Sequence, residues 1–168
     1  SLAAKAVKDV VLTSSNDVLI DNGSREGMTL AGIEASTGRL RLETSGGIYA
    51  MGNSSEALLR SGGDMQLIAQ GSNGDQNGDI RGISSDVALH IDSGRTSTDA
   101  TLSVTALGNI LLDEINGSMT IAEVTSLTGD VLLQAETASL IASSRSYDLD
   151  TVQVSGNNLR LIAGDVES

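Results

Sequence analysis

Asp17-Val-Leu-Ile20, Arg39-Leu-Arg-Leu42, Asp64-Met-Gln-Leu67, Asp86-Val-Ala-Leu89, Asn109-Ile-Leu-Leu112, Asp130-Val-Leu-Leu133 and Asn158-Leu-Arg-Leu161 are seven variants of one phrase, spaced 21–28 residues apart. The first position is Asp or Asn in all but one, and the second and fourth are always apolar. A spacing of two puts both apolar side chains on one face of an extended strand, whereas a helix needs a 3.6-residue period. A short unit of this kind cannot bury its apolar face alone. Stacked on its neighbours, it builds a continuous core.

Further strand signals lie between the phrases: Met28-Thr-Leu30, Ile48-Tyr-Ala50, Thr101-Leu-Ser-Val104, Met119-Thr-Ile121 and Val152-Gln-Val154. The segment from Met28 to Leu42 also lies over the segment from Met119 to Leu133 without a gap. A coil holding two or three such strands is one turn of a parallel β-helix, with equivalent strands about 4.8 Å apart. The expected fold is therefore all-β: a right-handed parallel β-helix (solenoid) of about seven coils of 21–28 residues, right-handed because parallel crossovers are. A propeller or sandwich is the alternative, but these need longer units or hairpin turns. Asn22-Gly23, Asn77-Gly78 and Asn116-Gly117 are the compelling Asn-Gly pairs. Residues 1–168 read as a single β-helix domain and as an excerpt of a longer array, since Gly164-Asp165-Val166 restarts the phrase. Residues 1–8 are expected to be a cap or part of a preceding coil, with a small helix over Ser1–Val7 as one form of cap.

Composition fits a narrow interior. The 168 residues include no Phe, Trp, Pro or Cys, two Tyr (Tyr49 and Tyr147) and nineteen Gly, so the core must be aliphatic. A hydrophobic fraction of 39% is too high for a disordered chain. Net charge is −12, which argues against a nucleic-acid backbone or an anionic membrane as partner. No apolar run approaches the roughly 20 residues of a membrane span, and the first seven residues are too short and too weakly apolar for a signal peptide. Without Cys there are no disulfides and no thiolate metal sites.

Stacked like charges about 4.8 Å apart repel by roughly 1 kcal/mol even at the dielectric of water. Read in order, the leading positions form a column Asp17, Arg39, Asp64, Asp86, Asn109, Asp130, Asn158, in which only Asp64 and Asp86 are like-charged neighbours. These side chains are expected to cap local turns through Asx hydrogen bonds.

Three groups of residues are candidate sites. In Asn73-Gly-Asp-Gln-Asn-Gly-Asp79, the residues Asp75, Asn77 and Asp79 offer oxygen ligands at alternate positions, the spacing of a Ca²⁺ loop, with Asp86 at the twelfth position. Ile80 stands where such a loop needs Gly, and a solvated turn is the competing reading. Leu19, Leu111 and Leu132 break the outward polar pattern held elsewhere by Arg41, Gln66, Ala88 and Arg160, and Leu111 and Leu132 should be neighbours on consecutive coils. They are the candidate protein contact, against the plainer reading of scattered surface leucines. The acidic pairs Asp113/Glu114 and Asp148/Asp150 have the residue type of glycoside hydrolysis, but stacking aromatics are missing. His90, the one histidine, should point outward, and no Ser-His-Asp set can be assembled around it.

The phrases Gly108-Asn-Ile-Leu-Leu112, Thr128-Gly-Asp-Val-Leu-Leu133 and Ser155-Gly-Asn-Asn-Leu-Arg-Leu161 resemble the repeats of filamentous-haemagglutinin-like large exoproteins and giant bacterial adhesins. The resemblance runs from about Asp17 onward and rests on repeat style. It implies an exported, non-catalytic structural shaft of a secreted or cell-surface bacterial protein, with a contribution to adhesion. Its implied partners are other surface proteins or glycans and adjoining coils of the same parent chain. The alternatives are a carbohydrate-active β-helix enzyme (a polysaccharide lyase or glycosidase) and a calcium-dependent surface-layer or self-assembling protein. No resident cofactor is expected, Ca²⁺ being the one metal the acidic loop suggests.

Overall fold

The computed structural model describes residues 4–21, 32–51, 55–71, 78–143 and 153–164, and every regular element among them is a β-strand. Numbered in chain order, the strands stand in three columns. The first holds β1 (Ala4–Ala6), β4 (Ile33–Ala35), β7 (Leu59–Ser61) and β10 (Leu89–Asp92). The second holds β2 (Val10–Ser14), β5 (Leu40–Thr44), β8 (Met65–Ala69), β11 (Leu102–Ala106) and β13 (Met119–Ser126), on which β15 (Leu140–Ala142) and β16 (Val154–Ser155) both pair. The third holds β3 (Val18–Asp21), β6 (Ile48–Met51), β9 (Ile80–Gly82), β12 (Ile110–Glu114), β14 (Val131–Ala135) and β17 (Leu159–Ala163). Every pairing is parallel and joins strands two or three apart in chain order, as between the first and third columns' β1–β4 and β3–β6. This is a parallel β-solenoid.

The columns are held in register by stacks of like residues. In the second column Val10, Leu40, Met65 and Leu102 lie over one another, as do Leu12, Leu42, Leu67, Val104 and Val124. In the third column the stack is Val18, Ile48, Ile80, Ile110, Val131 and Leu159. Alternate residues of β5, β8, β12 and β14 are buried in one contiguous aliphatic cluster, whereas Leu159 and Leu161 of β17 are exposed. Replacing a fully buried member such as Leu67 by Ala removes contacts in the rungs above and below, a loss of about 2–5 kcal/mol.

Backbone pairing continues through the corner that precedes each strand, and the Asx residues are the reason. At the head of the third column, Val18 N–H donates to Gly47 O, Ile48 to Asp79 O, Ile80 to Asn109 O, Ile110 to Asp130 O and Val131 to Asn158 O. The N–H of each acceptor residue then needs a partner of its own. It finds one in the side chain one coil back: Asp17 Oδ1 accepts from Gly47 N–H (2.7 Å), Asp79 Oδ1 from Asn109 N–H (2.7 Å), Asn109 Oδ1 from Asp130 N–H (2.9 Å) and Asp130 Oδ1 from Asn158 N–H (3.1 Å). Gly47 breaks the series because it has no side chain. There the Tyr49 hydroxyl takes the Asp79 N–H instead, and a Cβ on residue 47 would lie 2.5 Å from that hydroxyl oxygen. The second column repeats the device, with Asp9 Oδ1 accepting from Arg39 N–H and Asp64 Oδ1 from Thr101 N–H. These side chains thus cap the next coil and not the local turns that the phrase alone suggests.

The register also corrects the single column inferred from the phrases. The Asp17, Asn109, Asp130 and Asn158 phrases lie in the third column, the Arg39 and Asp64 phrases in the second, and Leu89 of the Asp86 phrase in the first. Arg39 does sit between two aspartates, but they are Asp9 and Asp64, and it pairs with Asp9 at 3.1 Å. Asp64 and Asp86 are not like-charged neighbours: Asp64 directly precedes β8 of the second column, and Asp86 lies in the turn before β10 of the first. Along the third column, stacked residues lie 30, 32, 30, 21 and 28 positions apart, so loops lengthen some coils beyond the phrase spacing. Ala4–Ala6 is a strand paired with Ile33–Ala35, where a short helical cap was one expectation.

Asn109→Ala strips the acceptor from Asp130 N–H while leaving the aliphatic stacks untouched. The expected loss is about 1 kcal/mol of unfolding free energy, read as a lower urea midpoint at unchanged m-value. An unchanged midpoint would contradict the inter-coil cap.

Candidate functional site

Lys5, Glu34, Arg60 and Asp92 take the same outward position on successive rungs of the first column. Their signs alternate, so every adjacent pair, about 4.8 Å apart, is attractive. Side chains pointing out of a sheet are normally wet, yet Glu34 is 7% and Asp92 3% exposed. The segment after β10 explains this. It folds back over the preceding coil, where Arg95 N–H donates to Ser61 O (2.9 Å) and the Thr96 hydroxyl to Gly62 O (2.9 Å).

Burial acts on these carboxyls with different results. Glu34 is pushed up by desolvation, but hydrogen bonds from the Ser36 hydroxyl (2.8 Å) and the Lys5 ammonium (3.1 Å) outweigh it, and its pKa lies below the ordinary value. Asp92 ends above its ordinary value: desolvation dominates, and the Asn116 amide (3.2 Å) with the Arg95 and Arg60 charges offsets only part. Arg95 reaches both acids loosely, at 3.9 Å from Glu34 Oε1 and 3.9 Å from Asp92 Oδ2. Asp92 Oδ1 and Arg60 Nε are buried without a hydrogen-bond partner.

Glu114 is the anomaly of the interior. β12 spans two columns: Ile110 stacks on Ile80 of the third, while Leu112 and Glu114 stack on Leu89 and Ile91 of the first. The inward series Ala4, Ile33, Leu59, Ile91 therefore ends on a carboxyl that is 2% exposed. Ser93 supplies its hydrogen bonds, from the backbone N–H at 3.1 and 3.0 Å and from the hydroxyl at 2.5 Å. Desolvation exceeds these bonds and, with the Asp92 charge, raises its pKa to about 8.

Asp92, Ser93, Arg95 and Asn116 open onto a cleft of about 390 Å³ between the Ser93–Ala100 segment and the Asn116–Ser118 turn. Thr120 and Ile141 form part of its wall. The groups facing it are a carboxyl, an amide, a guanidinium and several hydroxyls, which suits hydrogen-bonded recognition. Glu114 stands behind Ser93 and does not line the cleft.

The residues singled out from the sequence fall elsewhere. Asp75, Asn77, Asp148 and Asp150 lie outside the described residues. Asp79 is 1% exposed, and its second oxygen accepts from Arg81 Nε at 2.9 Å, so both oxygens serve the fold. Among the described residues no group of three His, Asp or Glu side chains is placed to hold a metal ion. Leu19, Leu111 and Leu132 are half-buried members of one outward column. Leu19 stacks beside Tyr49, and Leu111 beside Leu132 as the spacing implied, with Arg160 next. Arg81 lies 5.3 Å from the Tyr49 ring centroid in a cation–π contact. Asp113 and Glu114, adjacent in a strand, point to opposite faces. Asp113 lies outward against His90 (3.4 Å), which is half-buried. Desolvation raises the Asp113 pKa, His90 opposes the rise and Glu136 adds to it.

Comparison with protein-family models, curated proteins and solved structures finds no match to this chain.

Glu114 makes stability pH-dependent in a defined direction. The folded chain keeps this proton up to about pH 8, whereas the unfolded chain releases it near the ordinary value of 4.5. Between those limits the fold binds the extra proton, so the contribution is full below the unfolded pKa, falls as pH rises, and is lost through the folded pKa. Glu114→Gln keeps the shape without the titration. The wild type should lose on the order of a few kcal/mol between about pH 5 and about pH 9, and the variant measurably less, in paired urea melts. Parallel pH profiles would refute the assignment.

Proposed function

We propose that this chain is a non-catalytic structural shaft of a secreted or cell-surface bacterial exoprotein, with a contribution to adhesion. The observation that carries the reading is the repeated inter-coil cap of the third column from Asp17 to Asn158, with the Tyr49 hydroxyl standing in where Gly47 has no side chain. Each coil completes the hydrogen bonding of the next, a device suited to an extended, stiff array and independent of any reacting group. The style of the Gly-Asn/Asp phrases, which resembles that of large exoproteins and giant adhesins, points the same way.

A carbohydrate-active enzyme is the second reading, favoured by Asp92 beside the cleft. Glycoside hydrolysis uses two carboxyls flanking the bond to be cut. Here Asp92 is the carboxyl in the cleft lining among the described residues, and its neighbour Glu114 is turned into the core. A binding role fits that arrangement better than a hydrolytic one.

Surface display is checked by antibodies raised against the isolated chain. They should label intact source cells or detect the protein in the medium. Labelling that appears only after lysis would overturn the surface reading.

A further inference from the structure

We propose that the cleft between the Ser93–Ala100 segment and the Asn116–Ser118 turn binds a neutral saccharide, held by Asp92, Arg95 and Asn116. The site is built rather than incidental. Asp92 lines it while 3% exposed, and one of its oxygens has no hydrogen-bond partner. An orphaned buried acceptor of this kind is rare in folded proteins and calls for a specific explanation. The Asn116 amide is oriented by its 3.2 Å hydrogen bond to Asp92 Oδ2, leaving its own oxygen as an acceptor. Arg95 is half exposed, and its two 3.9 Å contacts leave guanidinium donors able to turn to a ligand.

Charge selects the ligand class. An anion would face Asp92 in the cleft wall, and a cation would compete with Arg95, which already lies 3.9 Å from Asp92. A neutral polyol meets neither penalty, because each hydroxyl both donates to a carboxyl or amide oxygen and accepts from a guanidinium. Exposed Ile141 and the Ala100 methyl supply an apolar wall for the C–H face of a sugar ring, in place of a stacking aromatic. A cleft of about 390 Å³ lies at the small end of ligand sites, the scale of one or two sugar units. Gly94 (φ +74°) and Gly117 (φ +83°) turn the two rims in the left-handed conformation that side-chain-bearing residues rarely adopt.

The proposal deepens the adhesive part of the surface reading and rests on it only for its biological setting. Binding is a property of the isolated chain, so failure to bind leaves surface display to be judged by the antibody experiment. The test is an amide NMR titration of the whole chain with neutral methyl glycosides and lactose, using acetate and methylammonium as charged controls. At least one neutral sugar should give saturable, millimolar-range shifts confined to residues 93–100 and 116–120. Asn116→Ala and Arg95→Ala, both at exposed positions, should each weaken it by about tenfold. Arg41→Ala, on the second column, should leave it unchanged. The wild-type titration decides alone if a variant fails to fold. The absence of saturable shifts with every neutral sugar, equal shifts from the charged controls, or undiminished binding in both cleft variants would overturn the proposal.

Discussion

The hydrogen bond from a backbone N–H to the Asx side chain one coil back is the interaction on which this solenoid depends. Strand ladders satisfy the backbone along flat faces, but each corner leaves an N–H that turns away from the ladder, and a buried orphan donor is costly. Asp17, Asp79, Asn109 and Asp130 each receive the equivalent N–H of the following coil, and the Tyr49 hydroxyl does so where Gly47 cannot. Because donor and acceptor belong to successive coils, the cap also fixes register: a slip by one residue would break it and turn every apolar side chain outward. The alternation of Asp and Asn from Asp79 to Asn158 keeps like charges off adjacent rungs.

The same economy shapes the irregular side of the molecule. Where β12 runs straight from the third column into the first, no loop intervenes, and the strand's inward parity carries Glu114 to a place that Ile91 holds one coil earlier. Ser93 satisfies the carboxyl, and its loop in turn covers the ladder of Lys5, Glu34, Arg60 and Asp92. The buried position of Glu114 follows from the path of β12, while the Ser93–Ala100 segment buries Asp92 and forms one wall of the cleft. A regular scaffold thus acquires its distinctive chemistry at the point where the winding changes.

The fold was legible in the sequence because its signal is local. The parity of Val18/Ile20, Ile110/Leu112 and Val131/Leu133 is visible within four residues, and those pairs are core in the structure, Val18 the most exposed at 5%. Column membership was not legible, since all three sides are built from the same phrase. The gapless match of Met28–Leu42 to Met119–Leu133 sets Leu40 and Leu42 of the second column against Val131 and Leu133 of the third. What repeats is therefore a side with its corner, and only secondarily a coil. The cleft was hidden for the same reason: Asp92 and Asn116 meet across a separation of 24 residues, with no motif to announce them. Glu114 alone left a trace, as the acid reached by extending the Ile110/Leu112 parity one step further.

The inter-coil cap is tested most directly by long-range NMR correlation of amide nitrogens with side-chain carbonyl carbons through hydrogen bonds. The account predicts correlations from Gly47 N to Asp17 Cγ, Asn109 N to Asp79 Cγ, Asp130 N to Asn109 Cγ and Asn158 N to Asp130 Cγ. Correlations confined to partners within the same turn, or free solvent exchange of these four amides, would contradict it.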